Sequence, residues 1–203
     1  MAPLNNTYYF LRHGHSLANE ADIITSTIEN GIKAEYKLSA KGIEQAIEAG
    51  EKFKKMMESM PGKPIYFVNS PFYRAKETGA IVAAAVGIKE DSPNFEINND
   101  LRERFFGKDL ELKKSSEHYP VLWKEDEASN GSKGPGPDGE SANAVAERIQ
   151  GVVKGLEAKH KGAVIVLSAH GDICTIGQAA LTGAPIGTHF KNGLANCELR
   201  QVN

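Results

Sequence analysis

At 203 residues, 40% apolar and 25% charged, the chain is long enough for one sizeable core and has the balance of an ordinary globular protein. A formal net charge of -2 gives no footing for a nucleic-acid or membrane partner, so any anion site must be a local cluster of basic side chains. The two cysteines, Cys174 and Cys197, allow at most one disulfide, and their scarcity predicts small core residues in a reducing compartment.

The N-terminal "MAPLNNTYYF" lacks the basic start and long apolar run of a secretory signal. The most apolar stretches, "IVAAAVGI" and "AVIVL", fall well short of the roughly 20 residues needed to cross a bilayer. A cytoplasmic protein is expected. In chain order, "TYYFL" at 7–11 reads as a strand covered on both faces, from its aromatic content and lack of alternation. It runs directly into Arg12-His13-Gly14-His15-Ser16. From Ser39, a predicted N-cap, Ile43, Ala46, Ile47, Gly50, Phe53 and Met57 recur at helical spacing until Pro61 and Gly62. "PIYFVNS" at 64–70 is a second strand, and "YRAKETGAIVAAAV" a helix that follows the Ser70-Pro71 turn and stops at Gly87.

"FEINNDL" reads as extended. Between Phe105 and Glu140 the pattern breaks down: "KKSSEHYPVLWKEDE" has room for a short helix, and "ASNGSKGPGPDGE" is a loop by its Gly, Pro and Ser content. A third helix runs from about Ser141 to Gly162 with Val145, Ile149, Val152 and Leu156 on one face. "AVIVLS" at 163–168 is a third strand, and "CELRQV" adds a short one at the end. Strands alternating with helices predict an α/β fold with a mainly parallel sheet flanked by helices, an α/β/α arrangement of three layers. One domain over 1–203 is expected, with an excursion over the sheet edge at about 105–140.

Ligands bind such sheets beyond the C-terminal ends of the strands. "FLRHGHS" and "VLSAHGD" each place a His-Gly there, and "VNSPFYR" brings Arg74 to the end of a third strand. If these strands are neighbours, Arg12, His13, Arg74 and His170 converge. Taken singly, each has a bland reading: a histidine capping a strand, an arginine solvated on a helix, a His-Gly-His metal half-site. Together, four cationic or potentially cationic groups at strand ends require an anion. Phosphate fits best, because the guanidinium fork binds it through paired, charge-assisted hydrogen bonds.

"LRHGHSLAN" resembles the signature of the histidine phosphatase superfamily, which contains the cofactor-dependent phosphoglycerate mutases and many phosphatases. "YKLSAKGIEQAIEAG", "SPFYRAKETG", "LRERFFG", "GPDGES" and "IVLSAHGD" resemble further blocks of that family, in its order, so the likeness spans Tyr8 to about Asp172. The resemblance implies the phosphoglycerate-mutase-like fold. It implies that His13 is the nucleophile that becomes phosphohistidine and that Arg12, Arg74 and His170 form a cationic cage for the phosphoryl oxygens. By the same likeness Glu103 is the general acid, although a lone "RER" would read as a surface carboxylate paired with Arg102 or Arg104. Asn19 is implied as a polar contact, Ser16 as a shaper of the loop or pocket edge, and Gly171 as part of the substrate-binding surface. His15 departs from the family pattern and is placed either on substrate or at the rim. A backbone carbonyl near the loop is expected to hold the second ring nitrogen of His13 in the N–H form.

A metal-independent phosphomonoester hydrolase acting on a small phosphorylated metabolite is therefore expected, with no cofactor. The alternative is a phosphoglycerate mutase, which would use 2,3-bisphosphoglycerate. Mutases often carry a longer C-terminal tail and larger insertions than this chain shows, which favours hydrolysis. A zinc hydrolase using His13, His15 and His170 explains neither arginine, and a non-catalytic phosphate-binding module would not need both nucleophile and acid. After "FFG" the chain reads "KDLELKK", another departure. Lys108, Lys113, Lys114 and His118 are read there as a solvated face, with contact to an acidic substrate group as the other reading. Substrate identity and oligomeric state are left open.

Overall fold

The computed structural model describes residues 3–203. Strand β1 (Thr7–Arg12) is followed by the short helices α1 (Leu17–Glu20) and α2 (Ile28–Gly31) and by the long α3 (Ala40–Glu58). Then come β2 (Ile65–Asn69), α4 (Tyr73–Ala85), β3 (Phe95–Ile97), α5 (Ser115–Ser129), α6 (Ala142–Lys159), β4 (Val164–Ala169), α7 (Gly171–Thr182) and β5 (Leu199–Gln201). The sheet order is β3-β2-β4-β1-β5. Pairing is parallel throughout except for β5, which runs antiparallel along the free edge of β1. No helix of the described residues is long and apolar enough to cross a membrane.

Alternate residues of β1 serve opposite layers. Tyr8 and Phe10 enter the core formed with α6 and α7, whereas Tyr9 and Leu11 enter the one formed with α3 and α4. Burial on both faces is why the strand shows no alternation in sequence. The predicted face of α6 is borne out: Val145, Ile149, Val152 and Leu156 are all buried, and Ser141 caps the helix through the Ala144 amide.

The predicted face of α3 needs correction. Ser39 caps the helix as expected, but Ile43 and Ile47 are 37% and 53% exposed. The buried stripe is Gly42, Ala46, Ala49, Gly50, Phe53 and Met57. Small residues let α3 lie close against α4, and two isoleucines one turn apart are left outside.

The excursion holds a longer helix than expected, the 15-residue α5. Only Leu122 and Asp126 of α5 are buried, so its apolar periodicity is faint. Ile24, Phe106 and Leu122 form a small cluster of their own with Leu110 and Tyr119. This cluster is separate from the two cores that flank the sheet. Helix α7 was not anticipated from sequence, although Gly183 ends it in the left-handed conformation at φ +76°. Cys174 and Cys197 are unpaired and buried, as small core residues.

Candidate active site

The site grows out of strand register. β1 and β4 are parallel neighbours with Arg12 opposite Ala169, so the next residues, His13 and His170, leave the sheet side by side with ring centroids 5.3 Å apart. β2 lies on the other flank of β4 and delivers Ser70 and, at the second residue of α4, Arg74. His13, Arg74, Glu103 and His170 are all at least nine-tenths buried.

The loop after β1 is held from several sides. The Gly14 amide donates to Thr78 Oγ1 at 3.0 Å, and the His15 amide to Gln45 Oε1 at 2.9 Å. The His15 carbonyl accepts from both the amide and the hydroxyl of Ser39. Ser16 and Asn19 form a reciprocal capping box at the start of α1. Ser39 and Gln45, with a bridge from Leu38 to Ser16, thus brace the loop from the N-terminus of α3.

His13 Nδ1 lies 2.7 Å from the Gly14 carbonyl, which assigns the proton to Nδ1. Nε2 accepts from Arg74 Nε at 3.2 Å. Burial, then the charges of Arg74 and Arg12, hold the His13 pKa well below 6.5. The ring is a neutral base with its lone pair turned toward the pocket's cations. Arg74 is itself clamped, Nη1 on Thr25 Oγ1 at 2.8 Å and Nη2 on the Thr25 carbonyl at 3.0 Å. Arg12 donates through Nη1 to the Leu194 carbonyl, and its buried Nε has no partner.

His170 requires a correction. Among the described residues His170 Nε2, 2.8 Å away, is the one acceptor for the Ser70 hydroxyl proton, and the hydroxyl oxygen itself accepts from the Phe72 amide at 3.2 Å. That assigns the His170 proton to Nδ1, which is buried without a partner. Burial, followed by the charges of Arg74 and His13, holds this pKa well below 6.5. His170 is therefore a neutral donor aimed into the site rather than a cation of the cage.

Glu103 also departs from the surface-pair reading. Arg102 turns to Asp100 and Glu140, and the Arg104 side chain to Asp126 and Asp172. The Glu103 carboxylate takes only the Arg104 backbone amide, at 2.9 Å through Oε1, while Oε2 lies 3.9 Å from His170 Nδ1. Burial, then repulsion from Asp172, pushes its pKa up to about 7 against the pull of Arg74. A carboxyl group so placed carries a proton near neutrality.

A pocket of about 730 Å³, its open mouth included, collects these groups. Of the residues singled out by sequence, Arg12, His13, Ser16, Asn19, Arg74, Glu103 and Gly171 line it, and His170 packs behind His13. His15 is not brought in: its ring faces Ser39 Oγ at 3.1 Å and lies 4.0 Å from Glu20. It therefore makes no trio with His13 and His170, and His13 Nε2 is turned to a guanidinium. Lys108, Lys113 and Lys114 are exposed and outside the pocket.

Sequence reasoning missed Thr25, which holds Arg74, and Asp172, which stands two residues beyond His170. It also missed the aromatic wall of Phe106, Tyr119, Trp123 and Phe190. Asp172 had a local signal in "AHGD"; Thr25 had none. Among the described residues, Asp126, Asp172 and His189 bring carboxylate and imidazole atoms within 4.8 Å of one another. Arg104 occupies that centre, its Nη1 on Asp126 at 2.6 Å and on Asp172 at 3.2 Å.

The model of the histidine phosphatase superfamily (branch 1) matches residues 8–203. Among curated relatives, a probable phosphoglycerate mutase from Salmonella arizonae is 24% identical over 197 residues, covering 96% of this chain and 83% of that protein. A metal-independent phosphoserine phosphatase from Arabidopsis thaliana is 27% identical over 191 residues, covering 92% and 73%. Among solved structures, a mycobacterial glucosyl-3-phosphoglycerate phosphatase complexed with VO3 superimposes with a TM-score of 0.76 at 24% identity, covering 96% of this chain and 90% of that one. A phosphoserine phosphatase from Entamoeba histolytica, in complex with 3-phosphoglyceric acid, gives a TM-score of 0.71 at 17% identity, covering 97% and 89%. Strand-end histidines, a buried arginine and a family match from Tyr8 to the last residue agree: the chain belongs to the histidine phosphatase superfamily, branch 1.

Proposed function

We propose that this protein is a phosphomonoester hydrolase working through a phosphohistidine at His13. The observation that carries the reading is a neutral imidazole with its Nε2 lone pair free of protons, beside two donors that no protein acceptor satisfies, Arg12 Nε and His170 Nδ1. Unpaired buried donors are costly. Phosphoryl oxygens would satisfy them, as fixed donors that meet charge on the equatorial oxygens.

In the first step His13 Nε2 attacks phosphorus and the phosphorus–oxygen ester bond breaks. Its electron pair stays on the departing oxygen, which takes the proton from Glu103. In the second step the Glu103 carboxylate accepts a proton from water as the water oxygen attacks phosphorus. The phosphorus–nitrogen bond then breaks, its pair returns to Nε2, and inorganic phosphate leaves. Covalent catalysis divides one displacement into two, and Glu103 serves each half in the opposite protonation state. Asn19 spends Oδ1 on the Ser16 amide and hydroxyl, so Nδ2 is the group it offers to a phosphoryl oxygen.

Hydrolysis is favoured over mutase chemistry because a mutase must hold a bisphosphorylated intermediate. Among the described residues, no basic side chain beyond Arg12, His13 and Arg74 lines the pocket to receive a second phosphate. Incubation with a labelled phosphomonoester in chelator should trap label on the protein and release free phosphate. His13→Ala should abolish both. Isomerised ester in place of phosphate, or label retained in His13→Ala, would refute the proposal.

A further inference from the structure

The wall opposite the phosphoryl site is built from rings. Tyr119 and Trp123 lie 5.6 Å apart at an interplanar angle of 22°, and Trp123 and Phe190 lie 5.7 Å apart at 4°. The three are half-buried and form a nearly parallel row on the pocket surface. α5 contributes two of them and the 186–192 segment the third, and Trp123 is fixed by donating from Nε1 to Asp172 Oδ1 at 3.1 Å.

The charges are as one-sided as the shape. Among the described residues, Arg12 and Arg74 are the only arginine or lysine side chains lining the pocket, and a phosphoryl dianion needs both. The acidic groups of the lining offer an anion nothing: Glu103 is a carboxyl, and Asp172 is already met by Arg104 at 3.2 Å and by Trp123. A second carboxylate or phosphate on the substrate would enter beside these groups with no free cation to meet it, since Lys191, 5.8 Å from the Phe190 ring centroid, is paired with Glu127, and burying an unpaired charge is expensive. A flat, uncharged group would instead stack on the rings, the contact that lets aromatic side chains hold bases and other π-faces.

Resting on the phosphatase reading, we infer that the pocket selects phosphomonoesters whose alcohol is uncharged and carries a planar ring, over phosphorylated hydroxy acids and amino acids. In this it would differ from the relatives named for phosphoserine and phosphoglycerate. Trp123 is the specificity residue.

The test compares substrates with the same primary-alcohol leaving group: benzyl phosphate and a nucleoside 5′-monophosphate, glycerol 3-phosphate, and 3-phosphoglycerate with phosphoserine. The ring-bearing pair should exceed the acidic pair in kcat/KM by about 10-fold or more. Trp123→Leu should lower kcat/KM for the ring-bearing pair about 10-fold more than for glycerol 3-phosphate. Trp123→Phe, which keeps a ring and loses the bond to Asp172, should retain most of the preference. Equal losses on all substrates, or a Phe variant as impaired as Leu, would reduce Trp123 to a structural role and overturn the inference. Preference for the acidic pair would overturn it too, with the phosphatase reading intact.

Binding is read independently of turnover, because Trp123 is the only tryptophan of the chain. In His13→Ala, benzyl phosphate should change its fluorescence at concentrations where 3-phosphoglycerate and inorganic phosphate do not. Absence of turnover on every ester would sink the phosphatase reading alone. Absence of the selective fluorescence change would sink the substrate class.

Discussion

Under the proposed mechanism, Glu103 ties activity and stability to one buried carboxyl. With a pKa of about 7, it is protonated for the first half-reaction below that pH, while His13, held well below 6.5, stays unprotonated. For an alkyl ester, kcat/KM should therefore fall above about pH 7, and this alkaline limb should vanish in Glu103→Gln. For p-nitrophenyl phosphate, whose leaving group needs no proton, the variant should lose far less; equal losses on both esters would remove the acid role. The same shift acts on folding with a definite sign. Between the ordinary 4.5 and about 7, the folded protein keeps a proton that the unfolded chain releases, so this residue's contribution falls as pH rises through that window. Glu103→Gln should then be more stable than the parent by about 3 kcal/mol at pH 8, with the gap closing toward pH 4.5, as read by urea unfolding. His13 and His170 act oppositely. Their depressed values make stability fall as pH drops below 6.5, where the unfolded chain takes up protons first.

Among the elements, α3 matters to the site through its first turn. A Cβ placed on Gly42 would lie 2.0 Å from the His15 carbonyl oxygen, and one on Gly14 would lie 2.6 Å from the Gly42 carbonyl oxygen. Both obstacles are backbone, which cannot swing aside. Gly to Ala inside a helix normally gains about 1 kcal/mol. Here overpacking should reverse the sign, with Gly42→Ala costing about 1–3 kcal/mol and slowing turnover by displacing the His13 loop. A more stable, fully active variant would contradict this account. The helix was legible in sequence because Ser39, Ala46, Phe53 and Met57 carry its cap and period. Its contact with the His13 loop was not, because glycine gives no sign of what it touches. α5 was harder still. It buries only Leu122 and Asp126 and packs against elements distant in the chain, so its local pattern is weak.

Across the whole molecule, Arg104 joins parts that the sheet does not. It is 1% exposed and binds Asp126 of α5 through both Nη atoms, Asp172 of α7, and the Glu140 carbonyl at the close of the excursion. Burial works to raise the Asp126 pKa, but bonds from His189 and Arg104 outweigh it and leave the group below the usual carboxylate range. Arg104→Met should cost about 3–5 kcal/mol in urea unfolding, because it strands buried carboxylates. Adding Asp126→Asn should lose less than the sum of the single changes. Additive losses would show that the pair does not act as a unit.

Glu103 was implied only by the likeness of its block to the family, since a lone "RER" reads as a surface pair. Arg12, His13, Arg74 and His170 could be picked out along the chain because each sits at or just beyond a strand end. The parallel sheet was readable for the same local reason, in strands too apolar to face water on either side. Which nitrogen of each histidine bears the proton, that His170 is a donor and not a cation, and that His15 turns away to Ser39 were decided only by folding. So were the Thr25 clamp on Arg74 and the ring-lined, cation-poor wall. These properties belong to pairs of groups far apart in sequence, and hydrogen-bond partners, burial and electrostatic neighbours exist only once the strands are in register.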